Sequence, residues 1–233
     1  MKNKIKQNLN QDTETRILDF DGGDRSSIPM LIEIAREHEE IIDVTIIDRN
    51  NSNPAIACLQ ENGFIQRGSS FRKENLFFNV LQPQPNFIDQ IEQQPAFDLC
   101  IAPNERLSAV PGIRLRENTV AALANCSTKM ILSLASDDMY LPDQSFARSR
   151  GNPRGEILRN GPQGLQTFGL FDHKRINDLM KSTGVEEPEL FIEEPKGFFE
   201  WIVSGFKTKT HGIVSNGKAS RLDGHLIKGN FAR

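Results

Sequence analysis

Apolar positions fall into short runs separated by polar, glycine-containing turns, and the period within each run tells strands from helices. RILDF, beginning at Arg16, is a compact apolar run that gives way to Asp21, Gly22 and Gly23. The next stretch, SSIPMLIEIAREHEE, sets Ile28, Leu31, Ile32 and Ala35 at helical spacing, with Ser26 or Ser27 as N-cap and Pro29 accommodated in the first turn. IIDVTIIDRN is β-branched and closes on the acid Asp48, as a strand buried on both faces of a parallel sheet does. Strand, helix and strand make one βαβ unit.

The pattern then repeats. PAIACLQENG predicts a helix stopped at Gly63, FIQRGSSFRKEN a weakly patterned strand, and FFNVLQPQPNFIDQIEQQP a helical stretch broken by prolines. AFDLCIAP predicts a strand, RLRENTVAALANCS a helix and TKMILSLAS another buried strand. Apolar strands alternating with helices predict an α/β fold, a doubly wound, mostly parallel Rossmann-like sheet with right-handed crossovers and helices on both faces. Further on, DHKRINDLMKSTG predicts a helix capped by Asp172 and ended by Gly184. In ELFIEEPKGFFEWIVSGFKT, two strands joined at Pro195, Lys196 and Gly197 change the connectivity and predict an antiparallel strand near the C-terminus.

These elements delimit one domain over residues 16–208. Residues 1–15 are polar and aperiodic, as a flexible arm is, and residues 209–233 form a glycine-rich tail read as irregular. Residues 136–167, rich in Gly, Pro and Arg, are far longer than the ~4–6 residues of an ordinary connection and read as a long loop or lid.

Charge narrows the function classes. The chain has 233 residues, 28 basic and 31 acidic, for a net charge of -3. Such a balance gives no support to a nucleic-acid or anionic-membrane partner. Cys58, Cys100 and Cys126 stand far apart among apolar neighbours and read as reduced core thiols. No apolar run approaches the ~18 residues of a membrane span. The opening MKNKIKQNLNQDTET has no apolar signal region, and the expected location is the cytoplasm.

Glycines between a strand and a helix N-terminus let backbone approach a ligand, and the helix start offers free N–H groups. LDFDGGDRSS has that placement. Asp48, closing the second strand, is positioned to accept hydrogen bonds from ribose hydroxyls, although it lies further along than the roughly 20-residue offset of dinucleotide folds. Together these features point to a nucleoside-bearing ligand.

The order of elements resembles the class I S-adenosylmethionine-dependent methyltransferases: strand, glycine turn, acid after strand two, polar residue after strand three, FDLCIAPNE after strand four, and a closing strand pair. The resemblance covers about Arg16 to Thr208. It implies S-adenosylmethionine as cofactor and a small molecule as methyl acceptor. It also implies that Asp19, Phe20, Asp21, Gly22 and Gly23 hold the methionine part, that Asp48 binds the ribose, that Asn75 approaches the adenine, and that Ala102 and Pro103 line the site near the methyl group. The family's acid-x-Gly-x-Gly-x-Gly turn is kept only in part: Gly23 falls on a glycine position, with Asp21 and Arg25 on the other two.

No catalytic base is assigned. Displacement at a sulfonium needs alignment and exclusion of water more than a base. Asp137, Asp138 and His173 fall near the expected ligand end, but a loop start and the first turn of an exposed helix account for them better, which leaves them weak candidates. NERL after strand four lacks the Asn-Pro-Pro-aromatic sequence of methyltransferases acting on amide or base nitrogens, which disfavours a nucleic-acid base as acceptor. Arg148, Arg150, Arg154 and Arg159 suit either a clamp for an anionic acceptor or a solvated basic loop. Two other readings use the same residues. ILDFDGG resembles the first motif of haloacid dehalogenase-like, magnesium-dependent phosphatases, with Ser133 in the place of their second motif. The third reading is a Rossmann-like binding domain without catalysis.

Overall fold

A computed structural model of the chain describes residues 1–10, 13–22, 27–103, 106–135, 156–161, 164–183, 189–193, 200–209 and 225–228. The first three parallel strands are β1 (Thr15–Phe20), β2 (Ile42–Ile47) and β5 (Leu76–Leu81), joined by helices α2 (Ser27–Arg36) and α3 (Asn53–Glu61) and by a hairpin of β3 (Ile65–Arg67) and β4 (Ser70–Lys73). After α4 (Phe87–Glu92) come β6 (Phe97–Ala102), α5 (Ile113–Cys126) and β7 (Ser127–Ala135). The chain continues through β8 (Glu156–Gly161), β9 (Gly164–Gly169), α6 (His173–Ser182), β10 (Glu189–Glu193), β11 (Glu200–Lys209) and β12 (His225–Lys228).

One mixed sheet of ten strands runs in the order β10-β11-β7-β6-β1-β2-β5-β4-β3, with β12 paired to β11. Its centre is parallel from β5 through β2, β1 and β6 to β7. β11 lies antiparallel between β7 and β10, as the paired C-terminal strands predict. Strand order reverses at β1: the chain moves outward through β2 and β5 on one side, then returns to β6 and β7 on the other. The carboxyl ends of β1, β2 and β6 meet at this switch point, where open α/β sheets are expected to offer a ligand crevice.

Both faces of the sheet are covered, which is why its central strands are continuously apolar. Leu18, Phe20, Cys100 and Leu132 pack toward α4, α5 and α6. Ile17, Val44, Ile46 and Ile101 pack on the other face with Ile28 and Leu31 of α2 and Leu59 of α3. Helix α3 ends as expected, with Gly63 at φ 76, a left-handed turn that costs glycine no Cβ clash. Asp172 caps α6, accepting from the Arg175 N–H. All three cysteines are buried.

Five expectations are corrected. Residues 1–10 are not a loose arm: helix α1 (Lys2–Lys6) docks on α2, with Ile5 and Leu9 buried in the core and Lys2 and Lys6 paired to Glu37. The segment read as a proline-broken helix begins with β5, whose alternating burial shows period two, and Pro83 and Pro85 stand after the strand. FIQRGSSFRKEN is the β3–β4 hairpin, an addition at the sheet edge that pairs antiparallel with β5. Within the stretch read as a lid, Glu156–Gly161 and Gly164–Gly169 form a separate antiparallel hairpin, and within the tail β12 pairs with β11. Residues 136–155 lie outside the described residues, including Asp137, Asp138, Arg148, Arg150 and Arg154.

Candidate functional site

Parallel pairing brings three acids to the carboxyl edge of the sheet. Asp19 is opposite Ile46 near the end of β1, Asp21 follows β1 directly, and Asp48 follows β2. All three are buried. The Asp48 Oδ1 accepts from the N–H groups of Asn50 and Asn51, both at 2.7 Å, which fixes its carboxylate at the strand end. Asp19 Oδ2 accepts from the Ser27 hydroxyl at the start of α2. Ser27 thus serves the acid of β1 while standing as the first residue of its helix.

Asp19 is strongly perturbed. Burial pushes its carboxyl up to about 7, and the like charges of Asp21 and Asp48 act in the same direction. The Ser27 hydrogen bond and the Arg106 guanidinium oppose them. Its Oδ1 is buried without a hydrogen-bond partner among the described residues, an acceptor that a ligand amine or hydroxyl would satisfy. Gly22 closes against this carboxyl: a Cβ there would collide with Asp19 Oδ1 and Oδ2.

Two arginines complete the edge. Arg49 pairs with Asp21, and Arg106 stands in the connection between β6 and α5. Burial lowers the Arg106 pKa, while the charges of Asp21 and Asp19 act against that shift. The same connection is braced by Ser108, whose carbonyl accepts from the Gly169 N–H at 2.8 Å and whose hydroxyl accepts from the Ala135 N–H at 2.9 Å. Ser108 of this connection is thereby tied to β7 and β9.

Among the residues expected in the site, Asp19, Phe20, Asp21, Gly22, Asp48, Ala102 and Pro103 gather at the carboxyl ends of β1, β2 and β6. Gly23 lies outside the described residues. Asn75 does not join them. It sits in the β4–β5 turn at the amino edge of the sheet, where its Nδ2 donates to the carbonyls of Ala35, His38 and Glu40. The misplaced third strand accounts for this error, and Gln82, directly after β5, holds the carboxyl-end position. Arg49 and Arg106 were missed. Their signal was available: an arginine directly after the strand-closing Asp48, and another in the NERL stretch after β6.

No protein-family model matches the sequence, and the comparison with curated proteins finds no match. Solved structures do match. The DhpI-SAM-HEP complex superposes with a TM-score of 0.53 at 11% identity, covering 87% of this chain and 83% of that one. CalS10, an amino pentose methyltransferase from Micromonospora echinaspora with bound SAM, gives 0.51 at 10% identity and covers 87% of each chain. The magnesium protoporphyrin IX methyltransferase from Synechocystis PCC 6803, with bound SAH, gives 0.50 at 12% identity, over 82% of this chain and 74% of that one. The chain has a class I methyltransferase-like Rossmann fold.

Proposed function

We propose that the chain binds S-adenosylmethionine in the crevice at the carboxyl ends of β1, β2 and β6 and transfers its methyl group to a small-molecule acceptor. The observation that carries this reading is the placement of Asp19 and Asp48 at adjacent parallel strand ends, at the point where strand order reverses. The similar folds of structures solved with SAM or SAH support it. Buried cysteines outside any disulfide suit a reducing compartment such as the cytoplasm.

The residues present fit such a cofactor. Asp48, held by two backbone N–H groups, accepts from the ribose hydroxyls. Asp19 offers its orphaned Oδ1 to the ammonium of the methionine part. Phe20, Asp21 and Gly22 form the turn beside it, Gln82 takes the adenine-side position expected of Asn75, and Ala102 and Pro103 line the wall nearest the acceptor. The bound sulfonium supplies an electrophilic methyl group. The chain's own task is to align the acceptor with it and to exclude water.

Equilibrium dialysis with methyl-labelled S-adenosylmethionine tests the reading. The intact chain should retain label, and Asp48→Ala should lose at least ~10-fold in affinity, since charged hydrogen bonds of this kind contribute about 1.5–3 kcal/mol. Undiminished binding by Asp48→Ala would overturn the site, and no retention at millimolar ligand would overturn the function.

A further inference from the structure

The Arg49 side chain crosses the crevice. It leaves the backbone just beyond β2, and its Nε and Nη2 donate to Asp21 Oδ2 at 3.1 and 2.5 Å. Its Nη1 donates to the Ala109 carbonyl, in the connection after β6, at 3.1 Å. The Arg49 backbone N–H takes the other oxygen of Asp21, again at 3.1 Å, and the guanidinium lies 6.0 Å from the Phe20 ring centroid. The two side chains are only 12% and 5% exposed, so solvent screens the pair little.

Because β1 lies between β2 and β6, a group running from the end of β2 to the connection after β6 passes over the end of β1. That is the path a nucleoside takes at the switch point. Hydrogen-bonded at both ends, the guanidinium occupies that path. The backbone of Asp21 is compatible with this: its φ of 60 is left-handed, a region uncommon outside glycine that Asp enters more readily than most residues and that a constraint on its side chain helps to hold. The bonds to Arg49 supply that constraint.

We infer that Asp21 and Arg49 form an internal gate, a carboxylate–guanidinium clamp that closes the nucleoside crevice and opens when Arg49 swings off Asp21 and Ala109. The gate determines how readily a nucleoside cofactor is admitted. It rests on the cofactor reading for the identity of the ligand, and on the geometry alone for the closure. A site that is open for only part of the time binds with apparent affinity reduced by that fraction. Removing either partner therefore tightens binding.

The test titrates S-adenosylhomocysteine into the intact chain, Asp21→Gly and Arg49→Gln, with thermal melts confirming that each is folded. Alongside, Ala109→Cys is alkylated with iodoacetamide in the Arg49 and Arg49→Gln backgrounds and read by mass spectrometry at that peptide. Asp21→Gly carries the test if Arg49→Gln, which strands a buried carboxylate, fails to fold. The expected result is binding at least ~10-fold tighter in both variants and alkylation accelerated to a similar degree. Faster alkylation with no binding by any protein would keep the gate and overturn the cofactor. Equal affinities with unchanged alkylation would overturn the gate and keep the cofactor.

Discussion

Asp19 concentrates the chemistry of single residues in this chain. Its folded pKa of about 7 stands above the ordinary value of 3.8. A raised carboxyl pKa means that the folded state binds the proton more tightly than the unfolded state. Its contribution is fully present below pH 3.8 and is lost as pH rises through about 7. The full span corresponds to about 4 kcal/mol as an upper figure. Asp19→Asn, neutral at every pH, should melt several degrees above the natural protein at pH 8.5 and no higher than it at pH 5, as read by scanning calorimetry. Equal melting differences at both pH values would show that Asp19 ionises normally. Ligand binding has the opposite sign, because an ammonium prefers the ionised acid: affinity for S-adenosylhomocysteine should rise as pH passes 7. Gly22 is constrained by the same carboxyl, and Gly22→Ala should destabilise the fold by roughly 1–3 kcal/mol in a denaturant titration, the range for overpacking a tight site.

At the scale of elements, the central strands and their helices were legible because burial on both faces demands continuous apolar runs and helices demand a 3.6-residue period. β1, β2, β6 and β7 met that condition, as did α2 and α5. β5 did not. Its LFFNVL runs into Gln82, Pro83, Gln84 and Pro85, and a short apolar run fits either period until its length is weighed. That one ambiguity moved the third strand upstream and carried Asn75 into the site in error. Asn75 ties three carbonyls at and after the end of α2 to the β4–β5 turn, so Asn75→Ala should cost about 1–3 kcal/mol of stability while leaving S-adenosylhomocysteine affinity unchanged. Helix α1 escaped notice because only Ile5 and Leu9 of its surroundings are apolar and buried, too few to show a period. Ile5→Ala should nonetheless cost roughly 2–5 kcal/mol, as large-to-small core substitutions do, and lower the melting temperature accordingly. The acids Asp19 and Asp48 were legible from their positions after strand runs. The Arg49 clamp was not, since sequence order does not reveal which acid an arginine reaches across a sheet edge.

For the molecule as a whole, the fold and the site follow from one topological fact, the reversal of strand order at β1. It aligns the ends of β1, β2 and β6, buries three acids there, and gives the Arg49 side chain a span to bridge. At the amino edge, Asn75 is tied by hydrogen bonds to the end of α2 and the residues that follow it. Binding of the nucleoside ligand is expected at the carboxyl edge. Amide chemical-shift mapping of the isotopically labelled chain with S-adenosylhomocysteine tests this most directly. Saturable shifts are expected at Asp19, Phe20, Asp48, Arg49, Ala102 and Arg106, with the amides of Asn75 and Leu76 unmoved. Shifts centred on the amino edge, or none at millimolar ligand, would contradict it.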